Sequence, residues 1–132
     1  MSRETTSALK NCINNKNLQM FEAILGKKSN DASCDELINY IVRKIKLRKR
    51  EDESKRLTTE DKITFLESIL RTYNGDVSLD NIKELIISAL IDAREFDIFK
   101  HCVKVKKFTV PDFAITKITK YNLTDWFLIA QD

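Results

Sequence analysis

The scarcity of chain-reversing residues most constrains the fold: the sequence has two glycines and one proline in 132 residues. Strand-rich folds need a tight turn about every eight to twelve residues, and glycine, proline, asparagine and aspartate supply most of those turns. The sequence therefore predicts an all-α fold of helices joined by short polar loops. Because 42% of the residues are hydrophobic, we expect one helical domain over residues 1–132, with a charged linker at about residues 48–58.

Signals for helix ends recur along the chain and predict eight helices in four antiparallel hairpins. Ser33 and Glu36 have the spacing of a capping box, in which each side chain binds the other residue's backbone N–H group. Other helix starts are predicted at Thr58 or Thr59, Ser78, Pro111 and the segment 122–125. Gly26 and Gly75 are predicted to end helices, Gly75 as a left-handed stop.

Three of these hairpins share one apolar pattern. If the first apolar residue of each second helix is the anchor, the anchors are Leu18, Phe96 and Leu123. Apolar residues stand nine and five positions before each anchor and three positions after it: Leu9, Ile87, Ala114; Ile13, Ile91, Ile118; Phe21, Phe99, Trp126. Because one short hairpin cannot bury its apolar face alone, the pattern predicts an α-solenoid-like stack, with an irregular helical bundle as the alternative.

The sequence offers little material for catalysis. His101 and Cys102 are adjacent, and neighbouring side chains on a helix point about 100° apart, so they are not expected to form a nucleophile–base pair. The three cysteines and single histidine lack zinc-site spacing, and no glycine-rich phosphate loop is present. We therefore expect a protein that is not an enzyme, with no cofactor, no metal and no small-molecule substrate.

Positive charge is concentrated in residues 43–56, which carry eight basic and three acidic side chains. This segment has a charge of +5, whereas the whole chain has +3, so the remainder is negative. Its candidate basic residues are Arg43, Lys44, Lys46, Arg48, Lys49, Arg50, Lys55 and Arg56, and a second group includes Lys104 and Lys107. The cluster could bind nucleic-acid phosphates or act as a nuclear-import signal; the alternative is a solvated helix end.

The C-terminal segment combines Trp126 and Phe127 with three further apolar residues. A terminal repeat normally has a polar outer face, and large aromatic side chains are common interface anchors. We therefore select Tyr121, Trp126 and Phe127 as candidate partner-binding residues. The alternative is that these rings complete the core.

The segment Ala8–Leu18, with its small and apolar residues around a Lys-Asn turn, resembles the start of the helical C-terminal domains of UtpA-type proteins of the U3 small-nucleolar ribonucleoprotein. The likeness covers about the first forty residues. It implies a scaffold role in ribosome biogenesis. The resemblance would lead us to expect a β-propeller before the helices, which these 132 residues do not include, and the charged linker has no counterpart in that family.

The function predicted from these features is a protein–protein interaction scaffold or adaptor within a larger assembly, such as a ribosome-biogenesis or other ribonucleoprotein complex. One alternative is direct RNA binding through residues 43–56, and another is a viral or effector protein that binds a host protein. No apolar run of about eighteen residues and no hydrophobic signal core are present, so no membrane association is expected. We expect an intracellular location, nuclear or nucleolar in preference to cytoplasmic.

Overall fold

The computed structural model describes residues 2–27, 32–43, 57–75 and 77–131, with side chains from residue 5 onward. These residues form eight α-helices and no strand, which confirms the predicted all-α class. The helices are α1 (Ser2–Asn14), α2 (Leu18–Leu25), α3 (Cys34–Arg43), α4 (Thr59–Thr72), α5 (Leu79–Ala93), α6 (Phe96–Lys104), α7 (Asp112–Lys120) and α8 (Thr124–Gln131).

The helices pack in consecutive pairs and in two rows. Helices α1, α3, α5 and α7 contact one another in succession, and so do α2, α4, α6 and α8. Each odd-numbered helix also contacts the even-numbered helix that follows it, which defines hairpin 1 (α1–α2), hairpin 2 (α3–α4), hairpin 3 (α5–α6) and hairpin 4 (α7–α8). Each hairpin therefore lies beside its neighbours in the chain, and one apolar core is shared along the stack.

The predicted apolar pattern marks the core correctly. All nine predicted positions are buried, and the most exposed of them, Trp126, has 6% of its surface accessible. The three anchors are half-buried and pack against the same core. The pattern holds because each hairpin buries apolar residues both between its own two helices and against a neighbouring hairpin.

Three hairpin turns are built on left-handed residues that are not glycine. Lys16, Arg94 and Asn122 have φ angles of 54°, 60° and 58°. The following residue in each turn donates its N–H to a carbonyl five residues back, at 2.8, 3.0 and 2.9 Å. This bond belongs to the Schellman motif, which satisfies carbonyl groups at a helix C-terminus.

The predicted left-handed stop at Gly75 is wrong, because no described glycine has a positive φ angle. Helix α4 ends with Tyr73 as its C-cap, and the Tyr73 ring lies so close to Gly75 that a Cβ there would stand 2.1 Å from its hydroxyl oxygen. Gly26 does cap α2, with a right-handed φ of −82°. Gly75 thus lies in close approach to an aromatic ring, and its backbone conformation does not require glycine.

The turns also correct the alignment of hairpin 4. Helices α2 and α6 begin two residues after Lys16 and Arg94, at Leu18 and Phe96. The equivalent residue in hairpin 4 is Thr124, one position after the predicted anchor Leu123. Asn122 therefore closes the turn before α8 and does not open the helix. The apolar pattern could not show this offset, because Trp126 and Phe127 are adjacent aromatic residues.

The predicted helix starts are mostly confirmed. Thr58 forms a full capping box with Asp61, and Ser78 caps α5 by accepting from the Asn81 N–H at 3.2 Å. Ser33 accepts from the Glu36 N–H at 3.2 Å, but its own N–H donates to the Thr6 hydroxyl. The return bond predicted from Glu36 is replaced because that carboxylate accepts from Lys10.

Ion pairs join neighbouring hairpins at all three junctions of the stack. Hairpins 1 and 2 are joined by Lys10–Glu36, Lys16–Asp61 and Glu22–Arg71. Hairpins 2 and 3 are joined by Lys62–Glu95 and Glu67–Lys106, and hairpins 3 and 4 by Asp92–Lys117. Many charged side chains therefore act in stacking as well as in solvation.

Candidate functional site

The outer side of hairpin 4 carries an open, mainly apolar groove. Helices α7 and α8 pack on α5 and α6 through one side, and no described helix covers the other. A groove of about 210 Å³ opens there, lined by Ile118, Thr119, Asn122, Leu123, Thr124 and Phe127. Nearby, Leu128 exposes 58% of its surface. The lining of the groove combines apolar side chains with the polar side chains of Thr119, Asn122 and Thr124.

The structure separates the three predicted aromatic contact residues. Trp126 lies in the core, with its ring centroid 4.7 Å from that of Phe99 and 5.5 Å from that of Phe96. Phe127 is half-buried and lines the groove. Tyr121 is 37% exposed, and the Arg94 guanidinium lies 4.3 Å from its ring centroid. Of the three, Phe127 is the residue that the fold presents in an open apolar depression.

Most of the predicted basic patch lies outside the described residues: Lys44, Lys46, Arg48, Lys49, Arg50, Lys55 and Arg56. Arg43 is exposed in the last turn of α3, where its Nε donates to the Asn39 side chain at 3.4 Å. Lys104 is half-buried in the last turn of α6, and Lys107 is exposed with a φ angle of 59°.

The described basic residues lie at opposite ends of the hairpins. The Lys62 ammonium donates to the Val42 carbonyl at 2.9 Å and also pairs with Glu95, which directly precedes α6. The end of α3 is therefore close to the start of α6, whereas Lys104 and Lys107 lie at its other end. A nine-residue helix is about 13 Å long, so Arg43 and Lys104 do not form one local patch.

Lys62 is the polar residue that sequence reasoning missed. Its side chain is 1% exposed, and it joins α3, α4 and the start of α6 through its two hydrogen bonds. The available signal was its place on the buried stripe of α4, four residues before Leu66 and seven before Ile69. A lysine at such a position indicates that an anionic or carbonyl partner lies within the fold.

The cysteines are placed where their thiols are unreactive. Burial raises the pKa of Cys102 to about 12 and that of Cys34 to about 11. Burial also raises the pKa of Cys12. Since the thiolate is the nucleophilic form, none of these thiols is activated at neutral pH. The Nε2 atom of His101 is buried and has no hydrogen-bond partner among the described residues.

Within the described ranges, no cluster of three or more His, Cys, Asp and Glu side chains is arranged to hold a metal ion. No helix in that part of the chain is both long enough and apolar enough to cross a membrane.

Comparison with known proteins gives no match to a family model, a curated protein or a solved structure.

Proposed function

We propose that this chain is a protein-interaction module that binds its partner through the outer face of hairpin 4. The observation that carries the proposal is the open groove bearing Phe127 at a side of the stack that no described helix covers. Protein interfaces combine a central apolar anchor in a pocket with a polar rim. Phe127 supplies such an anchor, and Thr119, Asn122 and Thr124 supply the rim.

The remainder of the fold supports a scaffold role. Neighbouring hairpins are fixed to each other by a shared core and by ion pairs, so the outer faces are held in a defined relative position. A surface that is fixed before binding loses less conformational entropy when a partner docks. The chain therefore has the construction expected of an adaptor.

The proposal is tested by comparing two phenylalanine-to-serine variants of hairpin 4. Phe127→Ser removes the half-buried groove anchor, whereas Phe113→Ser changes an exposed ring, 44% accessible, outside the groove. Immobilised wild-type and variant chains are exposed to cell extract, and the captured proteins are quantified by mass spectrometry. We expect partners retained by the wild type and by Phe113→Ser to fall at least about tenfold with Phe127→Ser, the loss of one interface anchor.

The proposal fails if both variants are folded, as judged by circular dichroism, and capture the same proteins in equal amounts. The resemblance of the first helices to UtpA-type proteins supports ribosome-biogenesis factors as the partner class. It also supports a nucleolar location for the assembly.

A second candidate function is direct RNA binding through residues 43–56, favoured by the +5 charge of that segment within a chain of +3. Such binding would release counterions, so the logarithm of affinity would fall linearly with the logarithm of salt concentration. Filter binding of single-stranded RNA at several salt concentrations measures that slope. Reversal of Arg48, Lys49 and Arg50 to glutamate should make the slope shallower by the amount that corresponds to about three phosphate contacts. An affinity of the wild type that does not change with salt would exclude this candidate.

A further inference from the structure

We propose that the chain associates head to tail with a second copy of itself, with the Met20 face of hairpin 1 packing on the Phe127 face of hairpin 4. This inference rests on the proposed function, because it takes the same groove as the interaction surface. Residues at equal distances from the left-handed residues of the turns, Lys16, Arg94 and Asn122, occupy equivalent places in hairpins 1, 3 and 4.

In hairpins 3 and 4, the residue four positions after the left-handed residue faces the preceding hairpin. In hairpin 3 this residue is Ile98, which lines a small cavity together with Ile63 and Leu66 of α4. In hairpin 4 it is Trp126, which packs on Phe99 of α6. Both side chains are buried by these contacts.

The residue five positions after each left-handed residue is a phenylalanine, and in hairpins 1 and 3 it faces the following hairpin. Phe21 of hairpin 1 meets Phe65 of α4 edge to face, with ring centroids 5.0 Å apart. Phe99 of hairpin 3 meets Trp126 of α8. In hairpin 1 the residue six positions after Lys16 also faces the following hairpin. It is Glu22, whose carboxylate accepts from the Ser68 hydroxyl of α4 at 2.9 Å.

At the two ends of the described stack these positions face no further described hairpin, and their side chains stay partly or largely accessible. Met20, four residues after Lys16, is 52% exposed on hairpin 1. Phe127 and Leu128, five and six residues after Asn122, line or flank the open face of hairpin 4. One chain thus exposes both halves of the contact that joins its own hairpins. A methionine side chain is flexible and its sulfur packs well against aromatic rings, so Met20 can fill the Phe127 groove.

The polar residues beside this contact are also compatible. Inside the stack, Lys117 of α7 donates to Asp92 of α5 at 2.9 Å. Lys117 lies five residues before Asn122, the left-handed residue of hairpin 4. Asp92 lies two residues before Arg94, the left-handed residue of hairpin 3. The equivalent residues at the free ends are Asn11 and Lys120, both exposed. The Asn11 amide oxygen can accept from the Lys120 ammonium, so the proposed contact places no like charges together at this position.

The two surfaces in this contact are different, so the association is heterologous. Each added copy exposes a new Phe127 face, and the assembly therefore has no fixed size unless it closes into a ring. We expect the average mass of the wild-type chain to increase continuously with concentration.

The test uses variants that block one face each without removing a core side chain. Met20→Arg blocks hairpin 1, and Thr119→Arg blocks the groove of hairpin 4 with a cation near the C-terminus of α7, where the helix dipole favours it. Thr64→Arg, an exposed threonine of α4, is the matched control for added charge. Leu128→Arg is a second block of hairpin 4 should Thr119→Arg fail to fold.

Analytical ultracentrifugation from about 10 µM to about 1 mM spans weak protein association. We expect the wild type and Thr64→Arg to gain mass across this range and each blocked variant to stay monomeric. An equimolar mixture of Met20→Arg and Thr119→Arg should form dimers and nothing larger, because each variant retains the face that the other lacks. Two arginines oppose each other if the blocked faces meet, so they cannot create that dimer.

The inference is overturned if the wild type remains monomeric throughout, or if the mixture remains monomeric while the wild type associates. A wild-type monomer that still loses its captured protein with Phe127→Ser would refute only the inference and leave the proposed function intact. The opposite result is a wild type that self-associates, a Thr119→Arg variant that does not, and a Phe127→Ser variant that captures the same proteins as the wild type. That result would refute the proposed function and keep the inference.

Discussion

The junction between hairpins 2 and 3 and the junction between hairpins 3 and 4 use the same stacking arrangement with different chemistry. The first contains Lys62, 1% exposed, paired with Glu95 and bonded to a backbone carbonyl. The second combines the Trp126 ring with an ion pair, Lys117–Asp92, whose side chains are 30% and 29% exposed. A buried charge must keep its partner, whereas a half-exposed charge can return to water.

The largest effect is expected from removing the partner of the buried charge. Glu95→Ala leaves the Lys62 ammonium with the Val42 carbonyl as its one remaining bonded partner. Breaking a buried pair in this way costs about 3–5 kcal/mol of unfolding free energy. Urea denaturation of the variant measures the loss.

The matched control is the double variant Lys62→Met/Glu95→Ala, in which the buried charge is also removed. We expect the double variant to recover most of the stability, because an apolar side chain of similar length replaces the ammonium. A double variant as unstable as Glu95→Ala would contradict the distinction between the two junctions.

An effect that is no larger, and more local, is expected from Trp126→Ala. Deletion of a buried tryptophan costs about 3 kcal/mol or more, but a hairpin at the end of the described stack can open without its neighbours. Hydrogen exchange should show α7 and α8 losing protection while α3, α4 and α5 keep theirs. Leu128→Ala, which changes an exposed side chain, serves as the control and should change stability by less than about 0.5 kcal/mol. Uniform loss of protection over all helices would show that hairpin 4 does not open separately.

Lys117→Ala should have a modest effect on the same junction. Its ammonium donates to Asp92 and Ser88, but both charged side chains are accessible to water. Exposed ion pairs contribute about 0.2–1 kcal/mol, so we expect a loss within that range that shrinks further in high salt. A salt-independent loss similar to that of Glu95→Ala would remove the contrast between the junctions.

The smallest effect is expected at the junction of hairpins 1 and 2, as a pH dependence. Hydrogen bonds from Ser68 and Arg71 lower the pKa of Glu22 below its ordinary value of 4.5. The resulting stabilisation is present above about pH 4.5 and is lost as the pH falls through the lowered pKa of the folded state. Glu22→Gln should therefore reduce the acid-induced shift of the urea midpoint. Identical pH profiles for variant and wild type would contradict this assignment.

Much of the fold could be predicted because its signals are local. The caps at Thr58 and Ser78 and the apolar spacing of each hairpin depend on residues within a few positions of one another. The left-handed turns at Lys16 and Arg94 could not be predicted, because neither residue favours that conformation. The surrounding helices and the Schellman bonds impose it, against a conformational cost of about 1–2 kcal/mol per residue.

The candidate site was less predictable because it depends on contacts between distant segments. The sequence identified an aromatic pair at Trp126 and Phe127, but only the turn at Asn122 determines which ring enters the core. Lys62 has partners 20 and 33 residues away along the chain, so its role could not be predicted from local spacing. Phe113, exposed on α7, was not singled out by the sequence pattern either.

The succession of contacts along the two rows of helices has a consequence for the speed of folding. The main contacts join helices no more than two places apart in the chain, so most of them are local in sequence. Proteins with such low contact order fold quickly, and stacked repeats can nucleate in one unit and grow outward. We expect hairpins 2 and 3, joined by the longest helices and the buried Lys62–Glu95 pair, to form the nucleus. Hairpins 1 and 4 would then add to a template that already presents their neighbours' faces.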